Sequence, residues 1–368
     1  MNNKLEDIQS VSGTFETETP FALHLQFDDC QIDFATNSKQ LQQDLEHYFK
    51  PFITQEPGSF PHMTVQAIEG KVPDLDIEFV IKQPDPGKTK IKEEYIDFPE
   101  GRMVRKLLTG MLFLFGKGQN LAMGPCVQNS NQVINFINNR FIEWKLNQEF
   151  LLAHAAGIVW NGKGIAMAGF SGMGKSTLAL HLMSQGAKFV SNDRLLFKKN
   201  TDEVAMVGVA KLPRINPGTI LNNLQLSKVM PSEDKKKFAN LSGNDLWDLE
   251  QKYDVFIDEC FGPGKSVLSS PMDLIVMLNW HRNDNNIKTH FVNFADRRDL
   301  LSAFMKSPGL FYEPDATLLQ NGLTEENYIA QLKEVRVLEI FGGVNFDQAV
   351  TAIANAMNQG SNKNKSVQ

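Results

Sequence analysis

Residues 163–193, KGIAMAGFSGMGKSTLALHLMSQGAKFVSND, decide the fold of this chain. A short apolar run, a glycine-rich loop, a segment with apolar residues at helical spacing and a second apolar run follow one another. This order is typical of strand, loop, helix and strand. Gly186 is placed to end the helix in a left-handed cap. The stretch therefore predicts an α/β unit.

The loop between the first strand and the helix fits the pattern G-x-x-x-x-G-K-[ST] at every fixed position. It consists of Gly169, Phe170, Ser171, Gly172, Met173, Gly174, Lys175 and Ser176, with Thr177 following in the helix. Glycines allow such a loop to turn its backbone N–H groups onto phosphate oxygens at the positive end of the helix dipole. We expect ATP here, with Lys175 on the β- and γ-phosphates and Ser176 on Mg²⁺. A chance glycine-rich turn is the alternative.

A second string with a similar appearance, FGPGKSV (261–267), does not fit the pattern. The first required glycine is replaced by Glu259. We interpret this string as a surface turn.

Phosphoryl transfer also needs a carboxylate for the metal, and two positions compete for that role. Asp193 follows the strand after the loop helix, where ligands of open α/β sheets bind. Asp258-Glu259 is the alternative. The apolar residues around that pair are spaced for an amphipathic helix rather than a strand: Leu246, Leu249, Tyr253, Phe256 and Cys260. We therefore favour Asp193 as the metal carboxylate. The alternative interpretation of Asp193 is a solvated residue at the end of a strand.

Composition excludes several classes of protein. The chain has 368 residues, 42% apolar and 22% charged, and a net charge of −6, which disfavours nucleic-acid binding. Its three cysteines, Cys30, Cys126 and Cys260, show no metal-ligand spacing and favour a reducing compartment. Neither a signal peptide nor an apolar run of the ~18 residues that a membrane span requires is evident, so we expect a cytoplasmic protein without membrane contact.

Four regions are predicted along the chain. Residues 1–20 read as a flexible tail, 21–145 as an N-terminal α+β region, 146–357 as the nucleotide-binding domain and 358–368 as a disordered tail. Within the second region, Ser38 is placed to cap a helix over 39–49. A longer helix is expected from about residue 131.

Residues 153–197 resemble the catalytic core of HPr kinase/phosphorylase, a bacterial serine protein kinase whose fold is related to ATP-dependent phosphoenolpyruvate carboxykinase. The family has a histidine fifteen positions before the first loop glycine, as His154 stands before Gly169. The resemblance implies a P-loop kinase fold, ATP and Mg²⁺, and active-site roles for His154 and Asp193. From the residues alone, His154 would be interpreted as a hydrogen-bonded core histidine.

Where the family carries two aspartates, this chain has Asn192-Asp193. The first aspartate of the family acts as the base towards the serine hydroxyl and as the acid in the reverse reaction. Asn192 cannot carry a proton, so we expect no phosphorylase activity and an acceptor other than HPr. Asp193 is left as the base.

Further similarity is to the group called HprK-related kinases, type B, in segments 36–49, 124–142, 208–219 and 338–349. That group implies a functional link to an ATP-grasp protein, and the hexameric HPr kinases imply self-assembly. In KLPRINPGT (211–219), Lys211 and Arg214 are candidate contacts to phosphate or acceptor, because a guanidinium pairs with phosphate oxygens. A surface turn is the alternative.

The sequence thus predicts an ATP-dependent kinase that phosphorylates a hydroxyl, with serine favoured, on an unidentified protein. Two alternatives stay open: a kinase for a small molecule, and an ATP-binding regulator without phosphotransfer.

Overall fold

The chain forms two units, the first with one sheet and the second with three. The computed structural model describes residues 13, 15, 17–55, 62–84, 89–242, 245–246, 249, 251–281, 286–312 and 322–361. The first unit contains the described residues up to Asn147 and a return segment, 308–312. The second unit contains Gln148–Ser307 and 322–361 as far as they are described. The mixed α/β character expected from the sequence is confirmed.

In the described part of the first unit, a nine-stranded sheet packs with two helices. The order of its strands is β3-β1-β2-β4-β9-β8-β7-β6-β5. In chain order they are β1 (Phe21–Phe27), β2 (Cys30–Thr36), β3 (Ile53–Thr54), β4 (His62–Glu69), β5 (Val80–Ile81), β6 (Glu93–Phe98), β7 (Gly101–Lys106), β8 (Leu112–Gly116) and β9 (Gln119–Gly124). The helices are α1 (Lys39–Tyr48) and α2 (Ser130–Leu146), with a 3₁₀ turn at Lys50–Phe52.

Local sequence signals explain both helices. The Ser38 hydroxyl accepts a hydrogen bond from the Leu41 N–H, so the predicted cap of α1 is confirmed. The longer predicted helix is confirmed as α2. Most of the predicted N-terminal tail lies outside the described residues. Phe15 is 3% exposed and belongs to an apolar cluster of this unit.

The central sheet of the second unit has six strands in the order β13-β11-β12-β19-β21-β20. They are β11 (Ala155–Trp160), β12 (Lys163–Gly169), β13 (Lys188–Ser191), β19 (Leu274–Trp280), β20 (Ile287–Val292) and β21 (Arg336–Gly342). β11 runs antiparallel to both β12 and β13, which makes β12 and β13 parallel to each other. β12, β19 and β21 are parallel neighbours. The carboxyl ends of β12, β13, β19 and β21 therefore lie at one edge.

A smaller sheet has the order β10-β14-β15-β18 and comprises β10 (Leu151–Ala153), β14 (Leu195–Lys199), β15 (Val204–Gly208) and β18 (Ser269–Pro271). A two-stranded ribbon pairs β16 (Arg214–Ile215) with β17 (Tyr253–Asp254). The helices whose full range the structure describes are α3 (Lys175–Ser184), α4 (Pro217–Leu221), α5 (Ser232–Phe238), α6 (Ile257–Phe261), α7 (Arg298–Phe304), α8 (Glu325–Leu332) and α9 (Phe346–Ser361), with a 3₁₀ turn at Leu224–Leu226. Of the helices described, none is both long and apolar enough to cross a membrane.

The two faces of the central sheet bury different apolar clusters. On β12, Ile165 and Met167 pack with α3 and α9, whereas Ala166 and Ala168 pack with α7 and α8. Successive residues of a strand point to opposite faces, which produces this alternation. Because both faces are covered, β12 reads as one continuous apolar run rather than an alternating one.

Two sequence predictions need correction. The single helix expected across 246–260 is wrong, since Tyr253–Asp254 form a strand that pairs with β16 and interrupt any helix before Ile257–Phe261. Cross-strand hydrogen bonds override the helical spacing there. The disordered tail predicted from residue 358 is also too long. α9 continues to Ser361 because its apolar face, including Ile353 and Met357, is buried; residues 362–368 lie outside the described residues.

Candidate active site

The glycine-rich loop connects β12 to α3 and needs glycine for two separate reasons. Gly172 and Gly174 have φ angles of 81° and 79°, in the left-handed region that favours glycine. At Gly169 a Cβ atom would lie 2.5 Å from the Leu278 carbonyl oxygen, and at Gly174 it would lie 2.9 Å from the Phe346 ring. Glycine is therefore needed at Gly169 and Gly174 because a side chain would collide with its neighbours, and at Gly172 and Gly174 because the backbone turns with a positive φ angle.

Lys175, the first residue of α3, lies against its own loop. Its ammonium group donates hydrogen bonds to the carbonyl oxygens of Gly169 at 2.8 Å and Phe170 at 3.3 Å. Burial lowers the pKa of Lys175 to about 8, with the Lys306 charge adding to this and the Asp193 charge opposing it. A bound anion would favour the charged ammonium, so the lysine is placed to gain from phosphate.

Aromatic residues from other elements hold the loop in place. The Trp280 indole N–H, at the end of β19, donates a hydrogen bond of 2.9 Å to the Met173 carbonyl oxygen. Phe346 packs edge-on against Trp280, with ring centroids 5.2 Å apart, and stacks on His181 of α3. The sequence analysis missed these residues because tryptophan and phenylalanine in apolar segments read as ordinary core.

The residues after Lys175 connect the loop to two neighbouring segments. The Ser176 hydroxyl donates a 2.5 Å hydrogen bond to the side-chain oxygen of Asn192, a residue 7% exposed. The hydroxyl groups of Thr177 and Thr219 lie 2.9 Å apart, which ties the start of α3 to α4. The start of the loop helix is thus in contact with Asn192, the residue directly before Asp193.

Sheet geometry explains how Asp193 and His154 meet. Asp193 follows the carboxyl end of β13, and His154 directly precedes β11, whose first residue pairs with Ala168 beside the loop. The His154 Nε2 atom lies 3.0 Å from one Asp193 carboxylate oxygen. Asp193 itself has a φ angle of 68°, a conformation that aspartate tolerates better than most residues. The strand order therefore unites two residues 39 positions apart.

Lys306 reaches the other oxygen of Asp193, at 3.4 Å. Backbone pairing brings it there, since the Lys306 N–H donates to the Leu152 carbonyl oxygen and the His154 N–H donates to that of Phe304. No sequence signal marked Lys306, because a lysine just after a helix is unremarkable on a surface. Among the described residues it is a cation in direct contact with the predicted catalytic carboxylate.

The charges around Asp193 keep it ionised. Burial alone would raise the pKa of Asp193, but the hydrogen bond from His154 and the positive charges of Lys306 and Lys211 together hold it well below its usual range. A carboxylate in this state can accept a hydrogen bond, bind a cation or steer a hydroxyl group near neutral pH.

Lys211 and Arg194 are two further cations near Asp193. β15 runs antiparallel to β14, so its carboxyl end lies beside the start of β14, next to Arg194. A hydrogen bond of 3.0 Å from the Val209 N–H to the Ser191 hydroxyl secures this approach. Burial, together with the charges of Arg194, Lys306 and Arg214, lowers the pKa of Lys211 to about 8 against the opposing effect of Asp193. Burial also lowers the pKa of Arg194.

Arg214 lies further out, on β16. Its Nε atom is 3.2 Å from a carboxylate oxygen of Asp254, the residue it faces across the ribbon, and its side chain is half exposed. Burial raises the pKa of Asp254, against the opposing charges of Arg214 and Lys211. Arg214 is therefore held by Asp254 rather than by Asp193.

Asp258 and Glu259 are placed away from the edge at which the loop lies. Both belong to α6, and the Asp258 carboxylate accepts a hydrogen bond from the Lys265 N–H at 3.3 Å. Gly262 and Gly264 have positive φ angles in the segment between them. The string at 261–267 forms the turn that the sequence predicted, and Asp258 stabilises it.

The donor atoms around Asp193 fit a magnesium ion that is shared with phosphates. In the described part of the chain, no group of three or more His, Cys, Asp or Glu residues could hold a metal. Mg²⁺ is commonly bound by one or two carboxylates together with substrate phosphates and water. Asp193 and the Ser176 hydroxyl fit that mode.

Comparison with known proteins gives little beyond this geometry. Neither a protein-family model nor a curated protein matches the sequence. Among solved structures, the HPr(Ser) kinase/phosphatase from Coxiella burnetii is similar over 58% of this chain and 95% of its own, with 13% identity and a TM-score of 0.30. A TM-score of this size supports no conclusion about function, so the proposed function rests on the geometry of the site.

Proposed function

We propose that this protein is an ATP-dependent phosphotransferase that moves the γ-phosphoryl group of ATP to a hydroxyl group, with a protein serine as the favoured acceptor. The observation that carries the proposal is the contact of Asp193 with His154 and Lys306 at the sheet edge from which the phosphate loop begins. A phosphate loop alone supports nucleotide binding. An ionised carboxylate beside it supports transfer as well.

Each residue has a role that follows from its contacts. Backbone N–H groups of the loop and the Lys175 ammonium bind the triphosphate. Ser176 and Asp193 would hold Mg²⁺, which supplies charge neutralisation on the phosphates. His154 is a positioning residue, because its contact with one carboxylate oxygen fixes the orientation of Asp193.

Asp193 orients the acceptor hydroxyl and accepts its proton. In the transfer, the acceptor oxygen forms a bond to the γ-phosphorus while the bond from that phosphorus to the β,γ-bridging oxygen breaks, and ADP leaves. A loose transition state of this kind depends more on positioning and charge than on the strength of the base. A carboxylate with a lowered pKa is adequate for that purpose.

Asn192 limits the proposal to the forward direction. An amide cannot protonate a leaving hydroxyl, and its oxygen accepts the hydrogen bond from Ser176. We therefore propose a kinase without phosphorylase activity.

The same residue favours one alternative. A protein in which Ser176 and Asn192 bind each other could bind ATP and regulate a partner without transferring phosphate. Such a regulator would bind ATP with normal affinity and leave it intact.

Transfer of γ-labelled phosphate in an extract of the host that lacks this protein tests the proposal. Purified wild-type protein should label an acceptor, whereas Lys175→Met should not, with Lys188→Met as an exposed control on β13. Binding of ATP without any labelled product, in macromolecules or small molecules, would contradict phosphotransfer and favour the regulator.

A further inference from the structure

The cations near Asp193 outnumber the carboxylates that face them. Five basic residues interact electrostatically with one another or with two carboxylates, Asp193 and Asp254: Lys175, Arg194, Lys211, Arg214 and Lys306. The whole chain carries a net charge of −6, so this local excess of positive charge is a feature of the site. Buried cations normally have a partner of opposite charge.

Lys211 is the least compensated of the five. Asp193 and Asp254 both act on it, but neither carboxylate, nor any other acceptor in the described part of the chain, lies within hydrogen-bond or ion-pair distance of its ammonium group. Arg214 is paired with Asp254, and Lys306 lies 3.4 Å from Asp193. The environment lowers the pKa of Lys211, as expected for a cation held without a close anion.

Lys211 is also separate from the phosphate loop. Val204 and Met206 of β15 pack with α7 and α8, on the face of the central sheet opposite α3, the helix that follows the loop. The Val209 N–H, two residues before Lys211, donates a hydrogen bond to the Ser191 hydroxyl, two residues before Asp193. The chain at Lys211 therefore approaches Asp193 from the face opposite the loop helix. If the loop holds the triphosphate and Asp193 the acceptor hydroxyl, Lys211 faces the remainder of the acceptor.

We propose that Lys211, with Lys306 beside it, forms an anion subsite on the acceptor side of Asp193, so that the acceptor carries a phosphate or carboxylate group close to its reactive hydroxyl. The use of this subsite by an acceptor rests on the proposed kinase function. The affinity of the subsite for an anion does not.

Binding of small anions tests the subsite directly. Inorganic phosphate and malonate are titrated by calorimetry into two forms of the protein: wild type saturated with Mg²⁺ and AMP-PNP, and Lys175→Met without nucleotide. In the first form AMP-PNP occupies the loop, and in the second form the loop has lost its lysine, so dependence of binding on Lys211 distinguishes the subsite from the backbone N–H groups of the loop. We expect one anion to bind in each, and the preferred anion distinguishes a phosphate-bearing acceptor from a carboxylate-bearing one.

Substitution of Lys211 locates the binding. Lys211→Met should weaken the anion at least ten-fold in both forms and leave AMP-PNP affinity unchanged, whereas Lys211→Arg, which keeps the charge, should retain most of the binding. Lys228→Met is the exposed control. Absence of anion binding in both forms, or equal binding by Lys211→Met and wild type, would overturn the proposal.

The outcomes separate this inference from the proposed function. If AMP-PNP does not bind but Lys175→Met still binds phosphate or malonate through Lys211, the kinase proposal fails and the subsite stands. If AMP-PNP binds and phosphate is transferred without any Lys211-dependent anion binding, the kinase proposal stands and the subsite fails.

Discussion

At the scale of single residues, Asp193 acquires its character from contacts that only the fold provides. Burial would raise its pKa, and His154, Lys306 and Lys211 reverse that effect. The family resemblance implied active-site roles for His154 and Asp193, but it did not predict their contact. Nothing in the sequence predicted Lys306, since its approach depends on the pairing of Leu152 with the segment after α7.

Removal of the Lys306 charge should change the pH dependence of transfer. The charge holds the pKa of Asp193 down, so in Lys306→Met that pKa rises and the acid limb of the rate profile moves to higher pH. Loss of a cation near the transferring group should also slow transfer at neutral pH by about ten- to a hundred-fold. Rates of labelled-phosphate transfer measured from neutral pH down to the lowest pH at which the protein stays folded test this, because the acid limb lies on the acid side of the usual aspartate range.

Lys288→Met, on the exposed edge strand β20, serves as the control for that profile. An acid limb in Lys306→Met at the same pH as in wild type would show that Lys306 does not control Asp193.

Lys175 should make stability depend on pH in the alkaline range. Its pKa falls from the ordinary 10.5 to about 8 on folding, so between these values the unfolded chain binds more protons than the folded one. The free energy of unfolding of the wild type should therefore rise with pH across this window, by on the order of 1 kcal/mol from this group.

In Lys175→Met that contribution is absent, so the rise from pH 8 to 10 should be smaller than in wild type. Urea unfolding at each pH measures it, with Lys188→Met expected to behave as wild type. The remaining rise in Lys175→Met is attributed to Lys211, which has a similar pKa. Identical slopes in all three proteins would contradict the burial of an ammonium group at Lys175.

At the scale of elements, the loop depends on β19 and α9 for its position. Trp280→Phe removes the hydrogen bond to the Met173 carbonyl oxygen and keeps the aromatic packing with Phe346. A hydrogen bond of this kind contributes about 1 kcal/mol, so AMP-PNP should bind roughly five-fold more weakly. Calorimetric titration measures the change.

Trp160→Phe is the matched control, because that indole N–H also donates to a backbone carbonyl oxygen, that of Gln185 after the far end of α3. Equal AMP-PNP affinity in wild type and Trp280→Phe would show that the loop holds its shape without this anchor.

Local elements were predictable where one sequence pattern dominated. The apolar runs and Gly-rich loop of 163–193 predict β12, α3 and β13, and Ser38 predicts the start of α1. The segment 246–260 misled because its helical spacing competes with pairing between β16 and β17, which involves residues 40 positions apart. Pairing of this range leaves no periodic signal in a sequence.

At the scale of the whole molecule, neither the local distribution of charge nor the path of the chain between the two units could be predicted from the composition and net charge. A net charge of −6 argues correctly for an acidic protein, yet it hides a cluster of cations around Asp193. Residues 308–312 belong to the first unit although both flanking described segments belong to the second. Phe311 packs against Phe113 and Phe115 and holds this segment in the first unit. Because short apolar segments occur throughout the sequence, this one could not be recognised in advance.

The proposed kinase function requires Asp193 to support phosphoryl transfer at a site where the loop binds ATP. We would first measure the rate at which pre-bound γ-labelled ATP donates its phosphate in Asp193→Asn and in wild type, with Asp202→Asn as the exposed control. Asp193→Asn should lose at least about a hundred-fold in rate, with AMP-PNP affinity within a few-fold of wild type. Transfer by Asp193→Asn at the wild-type rate would contradict it.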